Sequence, residues 1–337
     1  MILAARGAAA KRGAAKPKGG KRGKASERRA KSQADEPKRK SKSDQSKPDR
    51  KKTKKTKGKG KGKGSKAKKA RKPARTAKTS DRHELYQLSV QAPEVDAPFF
   101  AKYHLKVTGR PARVLREDFC GTAYLAAHWV TLHRENQAIG VDLDGPTLDW
   151  GRKHIIAALD EGQQARIELH RADVSLVRTA ACDVIVALNF SYSFFMTRET
   201  LRGYFEHARQ DIRPGGLLML DAWGGSETLV EQEEERDVED FVYVWDQHRF
   251  DPMTHISECR IHFRFRDGSE MKNAFRYTWR QWTLPELTEL MREAGFDDVH
   301  VLWEGTDRKT GEGNGIYRRA NRGEADPAWI AYVVGRA

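Results

Sequence analysis

The chain has 337 residues, 63 of them lysine or arginine and 47 aspartate or glutamate, for a formal net charge of +16. The basic excess lies at one end: residues 1–80 hold 32 basic and 5 acidic residues, so residues 81–337 hold 31 and 42 and are net acidic. No apolar run approaches the roughly 20 residues of a membrane span or the core of a secretory signal, and three scattered cysteines, Cys120, Cys182 and Cys259, form neither a disulfide framework nor a metal-ligand pattern.

Residues 1–80 contain almost no large apolar side chains after Leu3 and include the repeat Lys51-Lys-Thr-Lys-Lys-Thr-Lys-Gly-Lys-Gly-Lys-Gly-Lys-Gly. Such a segment buries too little apolar surface to offset its conformational entropy and is expected to be disordered. Two readings suit it: nonspecific contact with nucleic acid, through release of counterions from phosphates, or a solubilising or targeting extension. The cysteine usage and the absence of a signal point to an intracellular, cytoplasmic protein, with nuclear or nucleoid association through the basic tail as the variant. A transit peptide fits the lysine and glycine richness poorly.

Residues 81–337 suffice for one α/β domain with an insertion. A helix-entry signal followed by apolar spacing places a helix over Asp96–Leu105. The stretch Val114-Leu-Arg-Glu-Asp-Phe-Cys-Gly-Thr-Ala-Tyr-Leu125 then reads as strand, tight turn and helix start. This arrangement aims backbone N–H groups and a helix N-terminus at a polar ligand. A second strand, Ala138–Leu143, carries Asp142 near its end, about 20 residues after Gly121, the interval at which an acid reaches ribose hydroxyls. Together these elements form a nucleoside-binding β-α-β pattern.

On these residues the chain resembles class I S-adenosylmethionine-dependent methyltransferases, whose first motif is commonly D-L-G-C-G-T-G. Cys120-Gly121-Thr122 falls on its C-G-T and Glu117 on its acid, while Phe119 and Ala123 replace the outer glycines. The resemblance runs from about Tyr86 to the C-terminus in the family's order of elements. It implies a Rossmann-like, seven-stranded, mostly parallel sheet with a terminal antiparallel strand, and S-adenosyl-L-methionine as cofactor. Tyr86 and Gln91 then lie on the side where the family's N-terminal helix closes over the cofactor.

Farther along, a helical stretch ends near Leu159, and an alternating strand, Ala165–His170, leads to Asp173. The resemblance puts Asp173 where the family hydrogen-bonds the adenine amino group; a bare aspartate there is otherwise a turn or cap residue. Asp183–Asn189 is a continuous apolar strand of the kind covered on both faces. It ends in Asn189-Phe-Ser-Tyr-Ser-Phe-Phe195, which faces the site, with Asn189 and Tyr192 as the pocket candidates. A helix over residues 197–212 stops at Arg213-Pro-Gly-Gly, and Leu217–Trp223 forms the fifth strand, with Asp221 a candidate either for gripping substrate or for the strand-end turn.

Residues 226–283 exceed a minimal fold. After the charge run Glu231–Asp237, expected as a solvated helix face or loop, come three alternating strands, Phe241–Asp246, His255–Phe265 and Ala274–Trp282. They read as an inserted antiparallel β cap, with Trp245, Arg276 and Arg280 as candidates for binding an anionic or planar acceptor. A helix over residues 284–296 precedes a terminal strand pair, Val299–Trp303 and Trp329–Val334, joined by a long loop from Gly305 to Arg322.

The chemistry the resemblance implies is methyl transfer from a sulfonium to a small-molecule nucleophile. Positioning alone contributes roughly 7–11 kcal/mol to such a reaction, so no catalytic base is assigned and no metal is expected. The cofactor set is Glu117, Gly121, Asp142, Asp173 and Asn189. The alternatives are a nucleic-acid or protein methyltransferase recruited by the tail, and a non-enzymatic protein whose cofactor pocket is closed by Phe119.

Overall fold

The computed structural model describes residues 74–337. Helix α1, Arg82–Val90, starts at Asp81, whose carboxylate accepts from the amides of His83 and Glu84, and α2 spans Pro93–Thr108. The order continues β1 Val114–Asp118, α3 Tyr124–Leu132, β2 Gln137–Asp142, α4 Gly145–His154, α5 Glu161–Gln164, β3 Ile167–Arg171, β4 Cys182–Ala187, α6 Arg198–Gln210 and β5 Ile212–Gly224. Four strands then form the insertion: β6 Gln232–Val238, β7 Phe241–Asp251, β8 Ile256–Phe265 and β9 Glu270–Arg280. Helix α7, Leu284–Glu293, precedes β10 Asp297–Thr306, β11 Gly313–Ala320 and β12 Trp329–Arg336.

The main sheet runs β11-β10-β12-β5-β4-β1-β2-β3. Strands β1 to β5 are parallel, β12 lies antiparallel between β5 and β10, and β11 is antiparallel to β10. The α/β class and the separate antiparallel sheet are as expected. The main sheet, however, has eight strands rather than seven, because part of the segment read as a loop, Gly313–Ala320, pairs along β10. Its mix of glycine, arginine and asparagine hides that edge strand from a periodicity argument.

Alternation along the central strands divides the core into two layers. Ile185 and Leu218 face α6 and α7 with Tyr204, Phe205 and Leu290. Val184 and Met219 face α2 and α3 with Phe100 and Trp129. All are buried, and such a side chain contributes about 1.5–3 kcal/mol each. The α6 and α7 ends are set by capping boxes at Thr197 and Thr283. Among the described residues no helix is long and apolar enough to cross a membrane.

The second sheet runs β6-β7-β8-β9. Its inner face, with Phe241, Tyr243, Trp245, Ile261, Phe263 and Trp279, forms a third core with Leu85 and Val90 of α1 and with Phe190 and Trp223. The charge run expected as a helix face or loop is its edge strand β6. Glu233 and Glu235 point outward to Arg264, a charged edge that discourages further pairing.

Most of the basic segment read as disordered, residues 1–73, lies outside the described residues. Residues 74–80 are part of the fold, which moves the expected boundary at residue 80. The Arg75 guanidinium meets Asp240 at 2.6 Å and Glu84 at 3.1 Å, and the Ala77 amide donates to Ser269 Oγ at 2.9 Å. Helix α1 was also missed, since the expected N-terminal helix corresponds to α2 alone.

Candidate cofactor and acceptor site

The turn after β1 is the centre of the site. Phe119, Gly121 and Ala123 have φ of 57°, 53° and 56°, so all three positions that carry glycine in the resembled motif are left-handed, although only one is glycine. A side chain in this region costs roughly 1–2 kcal/mol, and surrounding contacts hold the two that bear it. Ala123 is fully buried. Phe119 packs its ring edge-on against Phe195 and Tyr204, centroids 6.1 Å away in each case. The ring therefore turns into the α6 layer. On Gly121 a Cβ would meet nothing nearer than Thr147 Cγ2 at 3.9 Å, so the turn presents open backbone. On α4, by contrast, a Cβ at Gly151 would come within 2.3 Å of the Thr122 carbonyl oxygen. Glycine is required there for the helix to reach the turn.

Carboxylates at the strand ends hold the loops by their amides. Glu117 Oε2 accepts from Ala126 N, in the first turn of α3, at 3.2 Å. Burial pushes its carboxyl well above the ordinary value of 4.5, which the Ala126 hydrogen bond only partly opposes. Asp142 Oδ2 accepts from Gly121 N at 2.7 Å, and its Oδ1 from Asp144 N at 2.8 Å. Burial raises this carboxyl too. Asp173 Oδ1 accepts from the amide and hydroxyl of Ser175, at 2.8 and 2.7 Å. It thus makes the turn that a bare aspartate would make, and Oδ2 has no hydrogen bond among the described residues.

After β4 the chain makes a second left-handed turn, with φ of 55° at Asn189 and 59° at Phe190. Asp221 Oδ2 accepts from Asn189 N at 2.8 Å and Oδ1 from Phe190 N at 3.1 Å. Asp221 is fully buried. It braces this turn and is not the open substrate-gripping group considered from sequence, because both oxygens face backbone donors.

Glu117, Gly121 and Asp142 are in one cluster, and α1 touches it: Gln87 Nε2 donates to Thr122 Oγ1 at 2.8 Å. Gln87, rather than Gln91, is the α1 residue that reaches the turn, and helical spacing within the missed α1 was the signal for it. Two further candidates are corrected. Tyr192 is only 1% exposed, within the core layer that holds Val174 and Leu201, so it does not face the cap. Arg276 is exposed on the outer cap face, paired across the sheet with Arg260, because the period-2 pleat turns it away from Phe275 and Tyr277. Trp245 does lie on the inner face, its ring centroid 6.2 Å from Trp223 and 5.9 Å from Trp279. Arg280 is committed to the Met196 carbonyl, Glu286 and the face of Trp282.

Sequence reasoning also passed over a buried ionic network below the turn. Arg116, fully buried, donates from Nε to Asp118 Oδ1 at 2.6 Å and from Nη1 to Asp211 Oδ2 at 2.9 Å. Asp118 Oδ2 accepts from the Tyr204 hydroxyl at 2.8 Å. This ties the end of β1 to α6. Cys120 is buried, and its thiol is pushed well above the ordinary value, chiefly by desolvation, which makes it a packing residue and a poor nucleophile.

Among the described residues Glu233, Asp246 and His262 bring potential metal-ligand atoms within 4.8 Å of one another. The Asn273 amide donates to His262 Nδ1 at 2.7 Å, which places the ring proton on Nε2, facing Asp246 Oδ2 at 3.3 Å. The lone pair a metal would need is therefore absent from Nε2.

No family model and no curated protein matches the chain. Solved structures do. An S-adenosylmethionine-dependent methyltransferase from Clostridium acetobutylicum superposes with a TM-score of 0.55 at 14% identity, over 75% of this chain and 96% of that one. CalS10, an amino pentose methyltransferase of Micromonospora echinaspora solved with its S-adenosylmethionine bound, gives 0.53 at 16%, over 76% and 96%. The sugar N-methyltransferase KedS8 of a Streptoalloteichus species gives 0.53 at 16%, over 80% and 96%. At these identities the likeness is one of fold: the described chain shares the architecture of S-adenosylmethionine-dependent methyltransferases.

Proposed function

We propose that the chain is an S-adenosyl-L-methionine-dependent methyltransferase acting on a small-molecule acceptor held between the four-stranded cap and the carboxyl ends of the main sheet. One observation carries the reading: the turn after β1 keeps left-handed backbone at 119, 121 and 123 despite phenylalanine and alanine at the outer two. A loop that bears this strain is held for a ligand's benefit. The fold neighbours, methyltransferases that include sugar N-methyltransferases, support the same reading.

The residues present fit the cofactor. Gly121 offers open backbone at the turn, Asp142 a carboxylate at the end of β2 for the ribose hydroxyls, and Asp173 a free Oδ2 for the adenine amino group. Glu117 and Asn189 shape the methionine side, Glu117 by holding α3 and Asn189 by its constrained turn. The bound cofactor supplies an electrophilic methyl on a sulfonium. The protein's part is to align the acceptor with that methyl and keep water out, which the aromatic inner face of the cap is suited to do.

Calorimetric titration of the full chain with S-adenosylmethionine, and separately with nicotinamide dinucleotide, tests the proposal. Binding of the first alone, lost in Asp142→Ala with an unchanged circular dichroism spectrum, is the expected result. A folded chain that binds neither would sink it.

A further inference from the structure

The inner face of the cap holds an unusual concentration of unsatisfied polar atoms. Tyr243, Trp245 and Gln247 are successive inner-face residues of β7, all buried, and the Tyr243 hydroxyl, Trp245 Nε1 and Gln247 Oε1 each lack a hydrogen-bond partner among the described residues. Directly across from Tyr243 stands Arg236. Its guanidinium carbon lies 5.4 Å from the centroid of the Tyr243 ring, one terminal nitrogen donates to the Ser89 carbonyl, and Nε is buried without a hydrogen bond among the described residues. Ser89 Oγ and Gln91 Oε1, at the end of α1, are likewise buried without a hydrogen bond among the described residues.

Buried polar atoms are almost always paired in native proteins, and a half-buried guanidinium without a counter-charge is costly to keep. Arg236 has no carboxylate partner among the described residues, and burial presses its affinity for protons below the ordinary value, with Tyr243 alone opposing. By contrast Arg75, Arg116, Arg264 and Arg280 all have acidic partners.

We propose that Arg236 binds a carboxylate of the methyl acceptor, with the acceptor's flat apolar body against Trp245 and its N–H or O–H groups donating to Gln91 and Gln247. Donors predominate around the guanidinium: Arg236 Nε, Trp245 Nε1 and the hydroxyls of Tyr243 and Ser89 can all point at an anion. Glu234 turns to the same face of β6 as Arg236, and its negative charge disfavours a phosphate dianion more than a singly charged carboxylate, while a planar fork matches a planar carboxylate. Helix α1 links this corner to the cofactor turn, since Gln87 in the same helix donates to Thr122. The inference rests on the methyltransferase reading and names its acceptor class.

The test is calorimetry on the full chain. S-adenosylhomocysteine is titrated first; then, at its saturation, 4-aminobenzoate and L-tyrosine are compared with 4-aminobenzamide, L-tyrosinamide and phenyl phosphate. The expected result is at least tenfold tighter binding of the acids than of their amides, with the difference abolished in Arg236→Met and S-adenosylhomocysteine binding unchanged. Acids no tighter than amides on a protein that binds S-adenosylhomocysteine overturn this inference and leave the methyltransferase reading standing. Failure of S-adenosylhomocysteine to bind overturns that reading instead, and phenyl phosphate binding tighter than the acids overturns the choice of carboxylate. Should Arg236→Met fail to fold, Tyr243→Phe serves: its hydroxyl has no partner to lose, so the unliganded melting temperature should hold or rise while acid affinity falls several-fold. A lower melting temperature would show that the hydroxyl is bonded within the protein and overturn the inference.

Discussion

Replacing Asp221 by alanine should loosen the turn after β4 and cost stability out of proportion to the side chain's size. Both oxygens accept backbone amides, from Asn189 at 2.8 Å and Phe190 at 3.1 Å, in a fully buried setting. Hydrogen bonds to a charged group contribute roughly 1.5–3 kcal/mol each, so losing both removes about 3–6 kcal/mol. Relaxation offsets part of this, because Asn189 and Phe190 sit at φ 55° and 59°, and one of them leaving that region recovers about 1–2 kcal/mol. The net expectation for Asp221→Ala is about 2–4 kcal/mol, with Asp221→Asn, which keeps one acceptor, near half of it. Urea unfolding of the full chain followed by tryptophan fluorescence measures both. If Asp221→Ala cost under about 1 kcal/mol, those amides would be satisfied without it, and the claim that Asp221 sets this turn would be wrong.

Three further outcomes are expected. Glu117, raised well above 4.5 by burial, binds more protons folded than unfolded, so its contribution is fullest below 4.5 and declines as pH rises from there towards its folded value. Glu117→Gln, which keeps an acceptor for Ala126, should therefore gain stability relative to the native chain as pH rises from about 4.5, and match it in acid; melting temperatures across pH 4 to 8 decide this. Gly151→Ala puts a methyl 2.3 Å from the Thr122 carbonyl oxygen and should destabilise by about 1–3 kcal/mol while weakening S-adenosylmethionine binding at least tenfold by calorimetry. Arg116→Met leaves Asp118 and Asp211 buried without their shared cation, a loss of about 3–5 kcal/mol that denaturant unfolding would report; a change under about 1 kcal/mol would mean that water reaches the network.

The parallel half of the fold was legible because its signals are local. Val184, Ile185 and Val186 form an apolar run that only a strand covered on both faces produces, and Cys120-Gly121-Thr122 between a strand and a helix start marks the turn. What stayed hidden depends on partners distant in sequence. Strand β6 looks like a solvated charge run until β7 lies beside it, when Gln232, Glu234, Arg236 and Val238 turn to one face and Glu233 and Glu235 to the other. Strand β11 is an edge recruited by β10 alone. Arg276 was assigned to the pocket by residue type, and one step of the pleat puts it outside; Arg236, which the sequence offered only as part of a charge run, is inside.

The acidic residues carry the deeper discrepancy. From the sequence, Asp142 and, by resemblance, Asp173 read as ligand groups, and Asp221 as either a substrate group or a strand-end turn residue. In the structure each of them accepts a backbone N–H from the loop that follows or adjoins its strand, and Glu117 accepts one from the first turn of α3. The two roles are linked. A turn that keeps phenylalanine and alanine at left-handed φ needs an external restraint, and a carboxylate bonded to its amide supplies one in a place where water is scarce. The oxygens of Asp142 and Asp173 can also accept from hydroxyl or amino donors. An acid in such a position both sets the shape of the cradle and offers the contact, so its removal should cost fold stability and ligand affinity together. Arg236 is the contrasting case: its Nε has no hydrogen bond among the described residues, and its ties to the protein are the Ser89 carbonyl and the Tyr243 ring, so its removal should cost carboxylate affinity and, through those two contacts, some stability.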